Sequence, residues 1–207
     1  MLKIPYIPAP ENACALACYT MTVKYFFPEV TFKEIARISN WTPKFVVWPF
    51  KFWKWILDKG IKVTDYDLIN YKDWGEHGAS GLKNSLVEKE FNWVKANSTD
   101  LDELGKDIKG FFEHKNFKHL MQKPSFSELE QAVSGGKVCE VVLNSHVLDR
   151  IKGFALHRVV VTDINNDIIT FHDPRLKPRP NRQENKEHFI ESWLDTVSDP
   201  EICIYSK

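Results

Sequence analysis

One of the four cysteines in the chain, Cys14, has the sequence context of a reactive thiol. The stretch Ala13–Phe26 has the apolar spacing of a helix, and Asn12 before it is a suitable N-cap. In the first turn of a helix, unpaired backbone amides and the helix dipole favour a thiolate and lower a cysteine pKa from about 8.5 to roughly 3.5–7.5. The sequence therefore predicts that Cys14 is a nucleophile.

The other three cysteines have contexts that are typical of small buried residues. Cys18 lies one helical turn beyond Cys14, where the field of the helix terminus is weaker, and Cys139 and Cys203 lie in predicted strands. Four cysteines are too few for a disulfide framework in a chain of 207 residues. We therefore expect free thiols, of which Cys14 is the reactive one.

A thiolate nucleophile needs a base within hydrogen-bond reach and an acceptor that orients this base. His157 begins one predicted strand and Asp173 ends the next, with a turn near Asn165-Asn166 between them. Side chains alternate between the faces of a strand, so a plain two-residue turn would place His157 and Asp173 on opposite faces. A catalytic triad of Cys14, His157 and Asp173 therefore requires an odd loop or a β-bulge in this hairpin.

The other histidines do not form a comparable pattern. His172 is adjacent to Asp173 in the sequence but faces the other way in an alternating strand. His114 and His119 have no cysteine or carboxylate at metal-ligand spacing, so a zinc site is not expected. We predict no metal and no cofactor.

The elements that must position these residues change from helices to strands along the chain. The predicted helices outside the middle of the chain are Ala13–Phe26, Thr31–Ile38, Trp48–Lys59, one that starts with a capping box at Ser125–Glu128, and one around Phe189–Leu194. The predicted strands are Lys137–Asn144, Leu156–Ile164, Ile168–His172 and Ile202–Tyr205. Helices first and an antiparallel sheet second predict an α+β fold.

A single domain of residues 1–207 is expected, with an insertion at about 65–122. The insertion has helix-like spacing over Leu82–Lys95 and Leu101–Gln122 and many charged residues, so we predict that it is helical. Residues outside a catalytic triad determine specificity, and the insertion is the expected source of them.

The charge balance and hydropathy exclude several function classes. Lysine and arginine together number 28, as do aspartate and glutamate, so no net charge attracts nucleic acid or an anionic membrane. No stretch reaches the roughly 18 apolar residues of a spanning helix, and Pro5 and Pro8 interrupt any export signal. The expectation is a cytoplasmic protein without stable membrane insertion, whose oligomeric state is not encoded in a recognisable way.

Two surface-like segments each have two interpretations. Four tryptophans in the segment 41–57 could form a membrane-surface helix or a lid, but the spacing of Trp48, Phe52 and Trp55 favours core packing. The arginines of the basic loop Arg175–Arg182 could bind a substrate carboxylate, but a solvated loop is favoured.

Motifs near both ends of the chain resemble those of a known enzyme family. Cys14-Ala15-Leu16-Ala17-Cys18 is similar to a nucleophile helix, Gly153–Thr162 to a base strand, and Phe171-His172-Asp173-Pro174 to an Asp-Pro acid motif. All three resemble papain-like cysteine peptidases of the bacteriocin double-glycine leader peptidase type, in particular their stand-alone relatives. The resemblance covers residues 1–40 and 124–206 and implies a papain-like fold and a peptide or protein substrate.

Two positions near Cys14 depart from that family. Its members usually have a glycine after the nucleophile and, about six positions before it, a glutamine that helps to bind the oxyanion; here these are Ala15 and Pro8. Proline cannot donate a hydrogen bond, so Asn12 is the candidate oxyanion donor. The predicted activity is hydrolysis of a peptide or isopeptide bond, and the alternatives are an acyltransferase with the same triad and a binding module without turnover.

Overall fold

The computed structural model describes residues 1–207 and contains ten α-helices and one seven-stranded sheet. The helices are α1 (Cys14–Phe26), α2 (Phe32–Ile38), α3 (Phe50–Asp58), α4 (Tyr71–His77), α5 (Ala79–Ser85), α6 (Glu88–Asn97), α7 (Leu101–Asp107), α8 (Phe126–Ser134), α9 (Ser145–Leu148) and α10 (Lys186–Ile190). The strands are β1 (Lys62–Asp67), β2 (Phe117–Met121), β3 (Val138–Asn144), β4 (Leu156–Asn165), β5 (Ile168–Asp173), β6 (Arg179–Asn185) and β7 (Glu201–Ser206). A π-helical turn at Glu191–Asp195 extends α10.

Across the sheet the strand order is β2-β1-β7-β3-β4-β5-β6. Neighbouring strands are antiparallel except β1 and β2, which are parallel. The last strand of the chain, β7, therefore joins β1 and β2 to the consecutive strands β3 to β6. N-terminal helices combined with a mainly antiparallel sheet confirm the predicted α+β class.

Alternating side chains of the central strands bury the two faces of the sheet in separate hydrophobic cores. On one face, Val138 and Val160 pack with α1, α3 and the helices of residues 65–122. On the other face, Val141 and Val159 pack with α8 and α10. A residue of α1 and a residue from the opposite face can therefore meet only near the end of a strand.

Helix α1 begins at Cys14, one residue after the predicted start, and the predicted N-cap is wrong. The N-cap residue is Ala13, which makes no side-chain capping hydrogen bond. Asn12 has a left-handed backbone with φ of 56°, and its Nδ2 donates a hydrogen bond to the Lys44 carbonyl at 3.0 Å. The first-turn amides of α1 are therefore not occupied by a capping side chain.

The segment 65–122 is not entirely helical, in contrast to the prediction. Helices α4 to α7 form most of it, but the predicted helix over Leu101–Gln122 ends at Asp107, and Phe117–Met121 forms β2. Phe117 pairs with Val63 of β1. This long-range pairing overrides the local helical spacing, because strand formation depends on partners that are distant in sequence.

The prediction of a loop over Arg175–Arg182 is also wrong in its second half. Arg179–Asn185 forms β6, an edge strand that pairs with β5. Its sequence, Arg-Pro-Asn-Arg-Gln-Glu-Asn, has no apolar alternation, so it lacks the usual sequence signal of a strand.

The tryptophan-rich segment 41–57 contributes to the core. Phe52, Trp53 and Ile56 of α3 are fully buried, whereas Trp55, expected on the buried face, is half-buried. None of the helices has the length and apolar character that spanning a membrane requires.

Candidate active site

The hairpin of β4 and β5 contains a bulge of the predicted kind. Its turn has two residues, since Asn165 pairs with Ile168, and this register alone would place His157 and Asp173 on opposite faces. A β-bulge at Thr162 shifts the register by one residue. His157 and Asp173 therefore lie on the same face of the sheet.

A short hydrogen bond joins these two side chains. The Nε2 atom of His157 lies 2.7 Å from Oδ1 of Asp173, and Asp173 is fully buried. Because Asp173 occupies Nε2, Nδ1 is the nitrogen that remains for a thiol. The neighbouring His172 faces away, and its Nε2 contacts the Ile4 carbonyl at 2.9 Å.

Cys14 approaches this pair from the other side of the sheet, because α1 packs along β4. Its half-buried thiol lies within hydrogen-bond reach of the His157 imidazole, and the backbone N–H groups of Ala15 and Arg158 also contact the sulfur. The structure thus brings together Cys14, His157 and Asp173, three residues that sequence analysis singled out. Donors around the sulfur stabilise its anionic form.

The Cys14 and His157 side chains form a thiolate–imidazolium pair near neutral pH. Burial raises the pKa of Cys14, but the charge and hydrogen bond of His157 outweigh burial and lower this pKa from 9.0 to about 7. Burial likewise lowers the pKa of His157, but the Cys14 thiolate and Asp173 outweigh it and raise this pKa from 6.5 to about 9. Both charges therefore coexist between about pH 7 and pH 9.

The other three thiols are buried in environments that keep them protonated. Burial raises the pKa of Cys18, Cys139 and Cys203, and nearby carboxylates raise it further. The Cys18 sulfur donates to the Arg158 carbonyl at 3.3 Å. Cys14 is thus the one cysteine whose pKa is lowered.

The candidate oxyanion donor, Asn12, lies just before α1 on the exposed surface. Its Nδ2 donates to the Lys44 carbonyl, which leaves the second N–H of the amide without a protein partner. Pro8 offers no N–H. The first-turn backbone amides of α1 are the other donors near Cys14.

Arg175 and Arg182, which sequence analysis considered only as part of a solvated loop or as ligands of a substrate carboxylate, contact the carboxylate of Asp173. Arg175 Nε donates to Oδ1 at 2.8 Å, and Arg182 Nη1 donates to Oδ2 at 2.9 Å. Burial raises the pKa of Asp173, but His157 and Arg175 outweigh burial and hold it well below its usual range. The arginine-rich sequence after Asp173 was the available signal, but its acidic partner Asp149 lies on a distant segment.

A small cleft of about 100 Å³ opens beside Cys14 and His157. Its apolar lining consists of Ala15, Val46, Val47, Trp48, Pro49, Trp93, Val94, Val142 and Leu156. Arg158 and Glu201 are the charged residues in its wall. Trp93 belongs to α6, so the segment 65–122 contributes directly to the cleft.

A second group of buried polar side chains, the carboxylate network, lies on the α1 face of the sheet next to the cleft. It consists of Asp65, Asp67, Tyr71, His119, Glu140, Arg158, Glu201 and Cys203. Arg158 donates to Glu140 at 3.2 Å and to Glu201 at 2.6 Å. At the other end of the network, His119 Nε2 lies 2.8 Å from Asp67 Oδ1.

Two overlapping sets within the carboxylate network have ligand atoms close enough together to hold a metal ion. The sets are Asp65, Asp67 and His119, and Asp65, Glu201 and Cys203. The nearest potential ligand of His119 in the sequence, His114, is not part of either set, and the carboxylate neighbours of His119 come from β1. In the structure these groups bond to one another, and the Tyr71 hydroxyl donates to Asp67 Oδ2 at 2.5 Å.

Comparisons with known proteins support the fold. No model of a protein family matches the chain, and no curated protein sequence matches it. A solved structure from Bacillus anthracis, described as a candidate C39-like peptidase, matches with a TM-score of 0.50 and 13% identity, over 99% of this chain and 95% of that chain. The chain therefore has a C39-like, papain-like α+β fold, as its sequence predicted.

Proposed function

We propose that the chain is a cysteine hydrolase that cleaves a peptide or isopeptide bond. Cys14 is the nucleophile, His157 is the general base and acid, and Asp173 orients His157. The observation that carries this proposal is the lowered pKa of Cys14 beside a histidine that is hydrogen-bonded to a buried carboxylate.

The reaction is an acyl transfer in two stages. The Cys14 thiolate forms a bond to the carbonyl carbon, and the negative charge moves to the carbonyl oxygen. As the tetrahedral intermediate collapses, the C–N bond breaks and the His157 imidazolium gives its proton to the leaving amine. Neutral His157 then takes a proton from water, which attacks the thioester and releases the acid and the Cys14 thiolate.

The carbonyl oxygen needs hydrogen-bond donors while it carries the negative charge. The backbone amide of Cys14, at the unoccupied start of α1, is the first proposed donor. The second N–H of the Asn12 side chain is the other, because the Lys44 carbonyl uses only one of the two.

The substrate proposed for this site is a peptide or protein with an apolar side chain next to the scissile bond. The cleft walls beside Cys14 are apolar and include the rings of Trp48 and Trp93. The resemblance of residues 1–40 and 124–206 to leader peptidases supports a peptide substrate. If an amine replaced water in the second stage, the same triad would act as an acyltransferase.

Iodoacetamide labelling, read by peptide mass spectrometry, tests the proposal. At pH 7 the wild-type Cys14 thiol is about half ionised, whereas a thiol of pKa 9 is about 1% ionised, so we expect His157→Ala to slow labelling of Cys14 by roughly 10- to 50-fold. His77→Ala, which removes an exposed histidine remote from the cleft, should leave the rate unchanged.

Equal labelling rates in the wild type and His157→Ala would contradict the proposal and favour a binding module without turnover. An activated peptide ester distinguishes the two chemistries once the thiol is shown to be reactive. Free acid as the product in the presence of an added amine supports a hydrolase, whereas an amide product identifies an acyltransferase.

A further inference from the structure

Three donors hold the carboxylate of Asp173. Oδ1 accepts hydrogen bonds from His157 Nε2 at 2.7 Å and Arg175 Nε at 2.8 Å. Oδ2 accepts one from Arg182 Nη1 at 2.9 Å. Because both oxygens have charged partners, this carboxylate cannot rotate without breaking a charge-assisted hydrogen bond.

Asp149 holds the same two arginines from the other side. Its carboxylate accepts from Arg175 Nη1 at 2.5 Å and from Arg182 Nη1 at 2.8 Å. Arg182 also donates to the Leu148 carbonyl at 2.8 Å, which fixes the plane of its guanidinium. We call Arg175, Arg182 and Asp149 the arginine clamp.

The charged and titratable groups around Asp173 and His157 come from several elements. They are Cys14 and Cys18 of α1, Tyr6 of the N-terminal segment, Asp149 and Arg150 after α9, His172 of β5, Arg175, Arg179 and Arg182 of the β5–β6 connection and β6, and Glu184 of β6, which accepts from Arg182 at 2.8 Å. With Arg150, which also pairs with Glu184, four guanidinium groups face three carboxylates, Asp149, Asp173 and Glu184. A fixed excess of positive charge surrounds the acid of the triad.

This excess matters at the step in which His157 becomes neutral. A buried carboxylate that relied on the imidazolium alone would lose its cationic partner there, which is energetically costly. Guanidinium groups do not deprotonate in this pH range, so Asp173 stays paired. Their charge also opposes the imidazolium and thereby favours release of its proton.

We propose that Arg175 and Arg182, held by Asp149, are positioning residues that keep Asp173 oriented throughout the reaction and limit the basicity of His157. This inference rests on the proposed function, because it assigns a role within the same triad.

Alkylation of Cys14 by iodoacetate from about pH 5 to pH 10 is the test. The anionic reagent is attracted by the His157 imidazolium, so a plot of the alkylation rate against pH should be bell-shaped. The alkaline limb of this plot reports deprotonation of His157. In Arg182→Met the loss of one nearby positive charge should move this limb up by about one pH unit. We also expect the maximal rate to fall about tenfold, because His157 is less well oriented.

Arg182→Lys separates charge from geometry. Lysine restores the positive charge but not the planar fork, so the alkaline limb should return close to its wild-type position while the maximal rate stays reduced. The control is Arg37→Met. Arg37 is an exposed residue of α2 that pairs with no carboxylate, so neither quantity should change.

Asp149→Asn provides a second measurement if Arg182→Met does not fold. Removing this negative charge increases the positive potential at His157, so the limb should move down. Suppose that the wild-type rate of alkylation is bell-shaped in pH, but folded Arg182→Met has the same alkaline limb and the same maximal rate. This result, or an unchanged alkaline limb in Asp149→Asn, would overturn the role of the arginine clamp and leave the proposed function standing. If the wild-type alkylation rate is not bell-shaped in pH and His157→Ala does not slow the labelling of Cys14, the proposed function is overturned as well.

Discussion

Two clusters of buried titratable side chains lie beside the same sheet with opposite charge balance. Around Asp173, guanidinium groups outnumber carboxylates, and its pKa is held low although burial alone would raise it. In the carboxylate network, Arg158 is the one guanidinium beside four carboxylates, those of Asp65, Asp67, Glu140 and Glu201, and it contacts only the last two. Burial raises the pKa of Asp65 and Glu140 there, against the weaker effect of Arg158. Burial is common to both clusters, so the fixed charge nearby decides the direction of the shift.

The cysteines show the same contrast. Cys14 meets the cationic His157, and its pKa falls to about 7. Cys203 lies in the carboxylate network, where burial and the charge of Asp65 raise its pKa. One kind of side chain is thus a nucleophile at the cation-rich cluster and an inert thiol at the anion-rich one.

Removing one arginine from each cluster gives the largest expected difference. In Arg158→Met, Glu140 and Glu201 lose the guanidinium that both contact, and we expect the free energy of unfolding to fall by about 3–5 kcal/mol. In Arg182→Met each of the three carboxylates that it contacts keeps another cation: Asp173 keeps Arg175 and His157, Asp149 keeps Arg175 and Arg179, and Glu184 keeps Arg150. The loss should therefore be smaller, about 2 kcal/mol.

Urea unfolding followed by tryptophan fluorescence measures both losses, since the chain has seven tryptophans. Arg150→Met serves as the control for loss of a more exposed arginine. Equal destabilisation by the Arg158 and Arg182 substitutions would show that the two clusters do not differ in their dependence on a single cation.

The pH dependence of stability provides a second way to separate the clusters. Burial raises the pKa of Glu140 from 4.5 to about 7, so the folded state keeps a proton that the unfolded chain releases. The resulting stability is complete below pH 4.5 and is lost as the pH rises through about 7, a change of about 3 kcal/mol. Glu140→Gln cannot titrate, and we expect a flatter stability profile between these pH values.

The triad is the comparison for this measurement. Between about pH 7 and pH 9, the lowered pKa of Cys14 makes stability rise with pH, and the raised pKa of His157 makes it fall. The two contributions oppose each other, so the wild-type profile should be nearly flat there. Unfolding curves at a series of pH values test the expectations for Glu140 and for the triad. If the free energy of unfolding depends on pH below pH 7 in Glu140→Gln as it does in the wild type, the expectation for Glu140 is contradicted.

The sequence predicted the features that depend on residues close together in the chain and missed those that depend on pairing between distant segments. The helix that begins at Cys14 and the hairpin with His157 and Asp173 are local. Strand parity, combined with the predicted triad, left an odd loop or a bulge, and the structure has a bulge at Thr162. The clamp was missed because Asp149 meets Arg182 only after β5 and β6 have paired. The same holds for His119, β2 and the carboxylate network, whose members come from strands that are far apart in sequence.

The smallest expected effect concerns Asn12, which lies outside both clusters. Its backbone has φ of 56°, so Asn12→Gly removes the side-chain amide without adding strain, and Asn40→Gly, at φ of 50°, is the matched control. Because Asn12 is exposed, its hydrogen bond to the oxyanion competes with water. We therefore expect hydrolysis of an activated ester to fall about tenfold, less than the ~10²- to 10³-fold loss of a buried oxyanion donor.

Iodoacetamide labelling of Cys14 should be unchanged in Asn12→Gly, because alkylation forms no oxyanion. Equal hydrolysis by Asn12→Gly and the wild type would assign oxyanion binding to the backbone amides of α1 alone. The reactivity of Cys14 would then depend on main-chain dipoles and on fixed charges around His157, and the contrast with the carboxylate network would be purely one of charge balance.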